Sequence, residues 1–198
     1  MSTNIADHEV ELRAILTNAQ RHRVVRALRS IGATQRGVEA LTDVYFCPRS
    51  VRSFKAIEMD EIGSFSLRLR TRRAGGISTS NLNIKVITRR GDHHAWEEHE
   101  SGVGSFDEMK HILTTVGFKP FFTMKKQRRT YVRGRFTAVV EDIAGFGPII
   151  EVEVLTSKRD APRAKLRIHA FLESIGVQAS QIVPKSVTNL LMHKMTKF

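Results

Sequence analysis

The chain has 198 residues, 41% of them hydrophobic and 26% charged, which predicts one globular domain over residues 1–198 and excludes an intrinsically disordered class. No apolar run reaches the roughly 18 residues of a membrane span, and a single cysteine, Cys47, excludes an internal disulfide and favours the cytoplasm. The net charge of +12 predicts an anionic partner, either nucleic acid, a phosphorylated small molecule or an acidic surface; a merely solubilising charge is the alternative.

Eight stretches alternate apolar and polar residues as strands do, and four show helical spacing. The predicted strands are 8–16, 42–47, 64–72, 81–88, 95–100, 120–132, 135–143 and 148–155. The predicted helices are 18–32, 105–116, 161–175 and 186–196, and the second begins with the capping-box spacing of Ser105 and Glu108. Many strands with few helices predict an α+β fold. Eight strands suit a closed antiparallel β-barrel with the helices packed outside.

The first predicted strand, HEVELRAIL, carries its charges on one face and its apolar side chains on the other. Because side chains alternate along a strand, Glu9, Glu11 and Arg13 share a face. The last predicted strand repeats this pattern with Glu151 and Glu153. Closing a barrel would bring these two strands together and gather four carboxylates. Clustered carboxylates repel one another, and Mg²⁺ or Mn²⁺, which prefer oxygen ligands, would neutralise them.

The middle strands carry charge of the opposite sign. Their paired or single cations are Arg68, Arg70, Lys85, Lys126 and Arg128. Taken one strand at a time, each charged face is an ordinary solvated face. The segregation by sign favours a different arrangement, in which the charged faces line the inside of a tunnel. Arginine and lysine suit phosphate oxygens, so a metal ion together with these cations indicates phosphoryl or nucleotidyl chemistry.

In this order the motifs resemble those of the CYTH superfamily, the triphosphate tunnel metalloenzymes, from residue 8 to about residue 191. The segments that carry the resemblance are Glu9-x-Glu11-x-Arg13, TDVYF with Asp43, Tyr45 and Phe46, LRLR, LNIK, AWEEHE, KQRRTY with Tyr131, EDIAGFGPIIEVEV and KSVTNLL. The resemblance implies an eight-stranded antiparallel tunnel, a triphosphate substrate and Mg²⁺ or Mn²⁺. The stretch from Tyr131 to Val154 looks most like the class IV adenylyl cyclase branch.

The resemblance also implies roles for individual residues. The metal ligands would be Glu9, Glu11, Glu151 and Glu153, with Asp142, Glu98 and Glu100 as further candidates. The triphosphate would be bound by Arg13, Arg68, Arg70, Lys85, Lys126 and Arg128, with Lys55, Arg90 and Lys185 as additional cations. Glu9, Glu11 and Arg13 would form the catalytic set, and the nucleophile would be a substrate hydroxyl or a water rather than a side chain.

Three residues depart from the family pattern. Arg13 replaces a lysine, Trp96 stands where an arginine is usual, and Val187 replaces a tyrosine. Arginine keeps the charge of lysine but does not readily serve as a base. These departures bear on the substrate and on the level of activity.

Two reactions fit a triphosphate tunnel. The first prediction is a cyclase, which converts ATP to cyclic AMP and pyrophosphate. The alternative is a triphosphatase acting on inorganic triphosphate, thiamine triphosphate or a nucleoside triphosphate. A third interpretation is a non-catalytic binder of polyphosphate or nucleic acid, supported by surplus arginines on the first helix. The sequence predicts no membrane partner and leaves a homodimer open.

Overall fold

The computed structural model describes residues 8–53, 62–87, 96–183 and 187–194. Nine strands and four helices lie in these ranges. The strands are β1 (His8–Ile15), β2 (Thr34–Pro48), β3 (Phe65–Ala74), β4 (Ile77–Ile87), β5 (Trp96–Val103), β6 (Phe118–Arg133), β7 (Phe136–Ile143), β8 (Gly147–Thr156) and β9 (Ile182–Val183). The helices are α1 (Asn18–Ser30), α2 (Phe106–Thr115), α3 (Ala161–Ser174) and α4 (Val187–Lys194). None of these helices is long and apolar enough to cross a membrane.

Polar caps begin the first two helices where the sequence predicts them. The Thr17 hydroxyl accepts a hydrogen bond from the Gln20 backbone N–H at 3.2 Å, and the Gln20 side chain accepts one from the Thr17 N–H at 2.8 Å. The Ser105 hydroxyl accepts from the Glu108 N–H at 3.2 Å, which caps α2. Such caps satisfy backbone donors that no helical carbonyl can reach, so they determine where each helix begins.

The strands form one sheet, whose hydrogen-bonded order is β5-β4-β3-β2-β6-β7-β8-β1-β9. The α+β class is therefore confirmed. All eight predicted strands form, and β9 is an additional strand of two residues. The described part of the sheet is not closed, which differs from the predicted closed barrel. The two-residue strand β9 takes the free edge of β1, where it pairs with Arg13 and Ala14. The first and last predicted strands do lie side by side. They are β1 and β8, which are neighbours within the open sheet and do not depend on a closed barrel to meet.

The chain divides into two compact units, and each has its own apolar core. Unit 1 comprises residues 1–38 and 127–186, and unit 2 comprises residues 39–126 and 187–198. In unit 1, α1 and α3 cover the apolar face of β1 and β8. Val24 and Leu28 of α1 and Ile168 of α3 pack in one cluster with Ala14 and Val152, all almost fully buried. Each of the valine, leucine and isoleucine side chains contributes about 1.5–3 kcal/mol when it is removed from water.

Unit 2 has a smaller core on one face of its strands. Leu113 of α2 packs with Phe46 of β2 and with Leu67 and Leu69 of β3. These apolar residues alternate with charged ones, so covering one face with α2 leaves the charged side chains together on the other. In both units the helices therefore lie on the apolar face, as the sequence predicts.

Candidate functional site

The charged face of unit 1 is built by β1 and β8 in antiparallel register. Glu11 lies directly opposite Glu153, and Arg13 lies directly opposite Glu151. Directly opposite residues point to the same side of a sheet, with Cβ atoms about 4.5–5.5 Å apart. Glu9 shares this face one step further along β1, and it is exposed. The structure thus brings the four predicted glutamates onto one face of two neighbouring strands.

Arg13 is the cation among these glutamates. Its guanidinium donates a hydrogen bond to Glu11 at 3.0 Å and another to Glu151. The Arg13 side chain is 13% exposed and that of Glu151 16%, so the pair is largely out of water. Burial opposes the charged form of Arg13, but the carboxylates of Glu151 and Glu11 outweigh it and raise the pKa of Arg13.

The pKa of Glu11 is raised by its burial and by the neighbouring glutamates. Burial raises the pKa of Glu11 most, followed by a hydrogen bond to Glu151 and the charges of Glu151 and Glu9. Together they bring its pKa to about 8, against the opposing effect of Arg13. Near neutral pH, Glu11 is therefore protonated and shares its proton with Glu151. The glutamates of β1 and β8 on this face outnumber Arg13.

The donor set of unit 1 suits a hard divalent cation, because carboxylate oxygens are the ligands that Mg²⁺ and Mn²⁺ prefer. The geometry is not a preformed cage. Across residues 8–53, 62–87, 96–183 and 187–194, no three histidine, cysteine or acidic side chains stand ready to hold a metal ion. Arg13 occupies the position between Glu11 and Glu151. A metal ion would have to displace that guanidinium or bind beside it.

β7 places a further acidic residue on this face, and it is not the residue that the sequence predicts. Glu141 lies opposite Ile149, and Val139 lies opposite Glu151, so Glu141 shares the face of Glu151. It is 2% exposed and accepts hydrogen bonds from Arg128, with Nε at 2.7 Å and the terminal nitrogen at 2.6 Å. Arg128, predicted to bind phosphate, is thus bonded to a buried glutamate.

Asp142 lies on the opposite face of β7. It accepts hydrogen bonds from Arg21 of α1 at 2.6 Å and from Arg129 at 3.3 Å. Because neighbouring residues of a strand point to opposite sides, Asp142 cannot share a face with Glu151 and Glu153. Its predicted role as a metal ligand is therefore at odds with this position, and the contacts support a structural role beneath α1.

The charged face of unit 2 is organised around a single buried carboxylate, Asp43. Asp43 is fully buried and lies directly opposite Arg70. Arg70 donates two hydrogen bonds to it, from Nε at 2.6 Å and from the terminal nitrogen at 2.8 Å. Arg68 and Lys126 lie within 3.9 and 3.8 Å of the same carboxylate. Three cations surround one anion, so this cluster carries surplus positive charge.

The cations hold Asp43 in its charged form. Burial acts to raise the pKa of Asp43, but the hydrogen bonds from Arg70 and the charges of Lys126, Arg70 and Arg68 lower it overall. A two-point Arg–carboxylate contact fixes the plane of the guanidinium. Asp43 therefore orients Arg70, one of the predicted phosphate-binding residues, and holds Arg68 and Lys126 beside it. We call these four residues the Asp43 cluster.

Next to the Asp43 cluster, β4 and β5 continue the polar face. Asn83 is 2% exposed, accepts a hydrogen bond from Arg68 at 3.3 Å and donates one to Glu98 at 2.6 Å. Lys85 pairs with Glu98 at 2.7 Å. Burial acts to raise the pKa of Glu98, but the bond to Lys85 and its charge lower it overall, with help from Asn83. Glu100 accepts a hydrogen bond from Asn81.

Several of the residues singled out in the sequence lie outside the part of the chain that the structure describes, whereas Val187 lies within it. Lys55, Arg90 and Lys185 fall outside the described residues, as does the side chain of Trp96. Val187 is buried in unit 2, and its neighbour Thr188 donates a hydrogen bond to the hydroxyl of Tyr45 at 3.2 Å.

Sequence reasoning assigned no role to three residues that organise these faces, namely Asp43, Asn83 and Glu141. Asp43 was part of a recognised motif, but its partner Arg70 is 27 positions away and is found only from strand register. Glu141 follows three buried apolar residues, so its strand shows no alternation of polar and apolar side chains. The sequence therefore does not reveal which of Glu141 and Asp142 lies on the face of the glutamates.

The family model for the CYTH domain matches residues 7–187. A search of curated proteins finds no match. Among solved structures, protein PH1819 of Pyrococcus horikoshii OT3 superposes with a TM-score of 0.75 at 23% identity, covering 94% of this chain and 99% of that one.

Two other solved structures have names that mention an activity. A candidate adenylate cyclase of Vibrio parahaemolyticus has a TM-score of 0.72 at 17% identity, covering 93% of this chain and 97% of its own. HpAC1 from Hippeastrum, a candidate adenylyl cyclase with a dominant triphosphatase activity, has a TM-score of 0.63 at 16% identity, covering 94% and 95%. At these identities the superpositions show the shared fold. With a family model matched over nearly its whole length, the chain belongs to the CYTH domain family.

Proposed function

We propose that this protein is a divalent-metal-dependent enzyme that binds the triphosphate of ATP and converts ATP to cyclic AMP and pyrophosphate. Membership of the CYTH family supports a triphosphate substrate, and a candidate adenylate cyclase is among the proteins that share the fold. The observation that carries the proposal is the Asp43 cluster, in which three cations share one buried carboxylate.

The Asp43 cluster is suited to a polyanion for electrostatic reasons. Among these four residues three cations share one fully buried aspartate, so the cluster has more positive than negative side chains in a poorly hydrated position. Preorganised cations of this kind stabilise the charge that develops on phosphate oxygens without reorganising during the reaction. Arg68 and Arg70 would hold the phosphates as planar donors, and Lys126 would act as a compact charge.

The metal would be held by Glu9, Glu11, Glu151 and Glu153, whose oxygen donors fit Mg²⁺ or Mn²⁺. A bound divalent cation neutralises phosphate charge and orients the substrate. Arg13 shields the inner carboxylates from one another in its absence. In the cyclase reaction, the ribose 3′-oxygen bonds to the α-phosphorus and loses its proton, while the bond to the leaving pyrophosphate breaks.

A triphosphatase is the second candidate, and HpAC1 favours it, since that protein combines this fold with a dominant triphosphatase activity. The two reactions use the same binding groups. They differ in whether a ribose hydroxyl meets the α-phosphorus or a water meets the terminal one, which depends on how the substrate is positioned.

The test incubates purified protein with ATP, thiamine triphosphate and inorganic triphosphate, each with Mg²⁺ or Mn²⁺, and separates the products by chromatography and mass. Cyclic AMP with pyrophosphate is the expected result. Orthophosphate without a cyclic product would establish the triphosphatase. No turnover of any substrate, together with tight binding of RNA or DNA that weakens steeply with salt, would overturn both in favour of a non-catalytic binder.

Two matched pairs of variants link turnover to the residues. Glu153→Gln removes a proposed metal ligand, and Glu173→Gln removes an exposed glutamate of α3 in the same unit. Arg68→Gln removes a phosphate-binding cation, and Arg23→Gln removes an exposed arginine of α1. We expect the first member of each pair to lose about 100-fold or more in kcat/KM, as is typical when a group that stabilises transition-state charge is removed. Equal activity within a pair would contradict the assignment.

A further inference from the structure

Unit 1 contains a second concentration of positive charge that the proposed reaction does not use. A cavity of about 220 Å³ lies beside the beginning of α3, and Arg135, Arg163 and Arg167 line it together with Asp160. We call it the arginine cavity. Three guanidiniums and one carboxylate leave its lining with a surplus of positive charge. None of the three arginines has an ion pair within the described part of the chain.

The placement of these arginines costs stability unless an anion is present. Arg163 and Arg167 are four positions apart on α3, so they are neighbours on one helix face and repel each other. Arg163 also lies in the first turn of α3, where the helix macrodipole disfavours a cation, and Asp160 at the N-cap is the nearest acidic residue along the chain. The carboxylate of Asp160 accepts a hydrogen bond from Ser157 at 2.9 Å. A bound phosphoryl group would relieve both repulsions at once.

A second cavity, of about 470 Å³, adjoins the arginine cavity, and Arg135 and Phe136 line both. Ile31 and Phe171 complete its apolar wall, and the rings of Phe136 and Phe171 stack with centroids 4.6 Å apart. We call it the apolar cavity. The arginine cavity is smaller than the roughly 300–1,000 Å³ of typical ligand sites, so it matches one phosphoryl group rather than a whole ligand. The apolar cavity is wide open to solvent, and Arg133 also lines it, so it offers a flat moiety an apolar wall beside cations.

We propose that these two cavities form a mononucleotide-binding site, with the phosphoryl group on Arg135, Arg163 and Arg167 and the base against Phe136. A phosphate bonded by arginine forks explains the unpaired guanidiniums, and an aromatic wall suits the π-face of a base. Every lining residue belongs to unit 1, and none belongs to the carboxylate face or the Asp43 cluster. The site is independent of the proposed reaction.

The test is calorimetric titration of the full chain with AMP, and with adenosine and inorganic phosphate as separate probes. We expect saturable binding of AMP that is tighter than that of either fragment, because each fragment fills one cavity. Adenosine binding as tightly as AMP would overturn the role of the arginines. Phosphate binding as tightly as AMP would overturn the role of the apolar cavity. No saturable binding of AMP would overturn the whole site.

Variants locate the binding. Arg163→Gln with Arg167→Gln is expected to weaken AMP on the order of 100-fold, since two charge-assisted contacts are lost. The matched control, Arg23→Gln with Arg26→Gln, removes the same charge from the exposed face of α1 and is expected to change nothing. All four side chains are exposed, so both double variants are expected to fold. Loss of AMP binding in Arg68→Gln, with retention in Arg163→Gln/Arg167→Gln, would overturn the site by placing AMP at the Asp43 cluster.

Discussion

The two units combine the same kinds of side chain in opposite proportions. In unit 2 one buried carboxylate, Asp43, is surrounded by three cations, and its pKa falls. In unit 1 one arginine, Arg13, sits among several glutamates, and the pKa of Glu11 rises to about 8. Burial acts in the same direction on both carboxyls, so the sign of the neighbouring surplus decides the outcome. The Asp43 cluster thus has more cations than carboxylates, and the face around Arg13 has more carboxylates than cations. Each excess is opposite in sign to the charge of the proposed ligand.

Asp43→Asn is expected to change stability most, because it removes the anion that three cations share. Arg70, which is 7% exposed, would lose its two-point contact with a carboxylate, so we expect a loss of about 3–5 kcal/mol in the free energy of unfolding. Urea denaturation measures it. Glu39→Gln is the matched control, because Glu39 pairs at 3.5 Å with Arg72, which is 46% exposed. That variant is expected to lose less than about 1 kcal/mol, and equal losses would contradict the central role of Asp43.

Arg13→Gln is the corresponding change in unit 1. It removes the cation between Glu11 and Glu151, and we expect the metal-free protein to lose about 1–3 kcal/mol, the cost of leaving buried polar groups unsatisfied. Mg²⁺ is expected to restore this loss, because a cation that binds only the folded state stabilises it.

Thermal unfolding with and without Mg²⁺ measures the recovery, and Glu153→Gln, which lacks a proposed metal ligand, serves as the control that Mg²⁺ stabilises much less. A melting temperature of Arg13→Gln that is insensitive to Mg²⁺ would argue against a metal site on this face.

Glu11 and Asp43 are expected to give the stability of the protein opposite dependences on pH. The folded protein holds a proton on Glu11 up to about pH 8, whereas an unfolded chain releases it near pH 4.5. In that window the unfolded state binds fewer protons, so the metal-free protein is expected to lose stability as pH rises from about 4.5 to about 8.

Asp43 acts in the opposite sense. Its pKa is lowered on folding, so its stabilising contribution is present above the ordinary value of 3.8 and is lost as pH falls below it. Glu11→Gln is expected to flatten the first slope without changing the acid limb. Denaturation at a series of pH values tests both, and an unchanged slope above pH 4.5 in Glu11→Gln would refute the assignment.

The smallest effect is expected at the edge of the polar face of unit 2. The side chains of Lys85 and Glu98 are 41% and 43% exposed, so their ion pair is screened by water despite its 2.7 Å separation. We expect Lys85→Gln to change the free energy of unfolding by less than about 1 kcal/mol in a denaturant titration. A larger loss would mean that the Asp43 cluster depends on this pair through Asn83.

Much of the fold and part of the site follow from local patterns. Alternation along β1 and β8 predicted the acidic face, and the capping-box spacing of Ser105 and Glu108 predicted the start of α2. The same reasoning fails at Glu141 and Asp142. In β7 the residues from Ala138 to Glu141 are all buried, because both faces of that strand are covered. Because this strand has no solvent-facing side, the sequence pattern does not reveal whether Glu141 or Asp142 shares a face with the glutamates. The register of β7 and β8 places Glu141 on that face, and Asp142 binds Arg21 of α1 on the other.

The α+β class, the residue types on each face and the membership of the CYTH family follow from the amino-acid sequence, because they depend on side-chain alternation and motif order along the chain. The tertiary structure decided strand order, the open sheet and the contacts of Asp43, since these depend on register between strands far apart in sequence. It also brought Arg135 of the turn before β7 to Arg163 and Arg167 of α3. A charge pattern shows that a cation exists, and only packing determines which charge it meets.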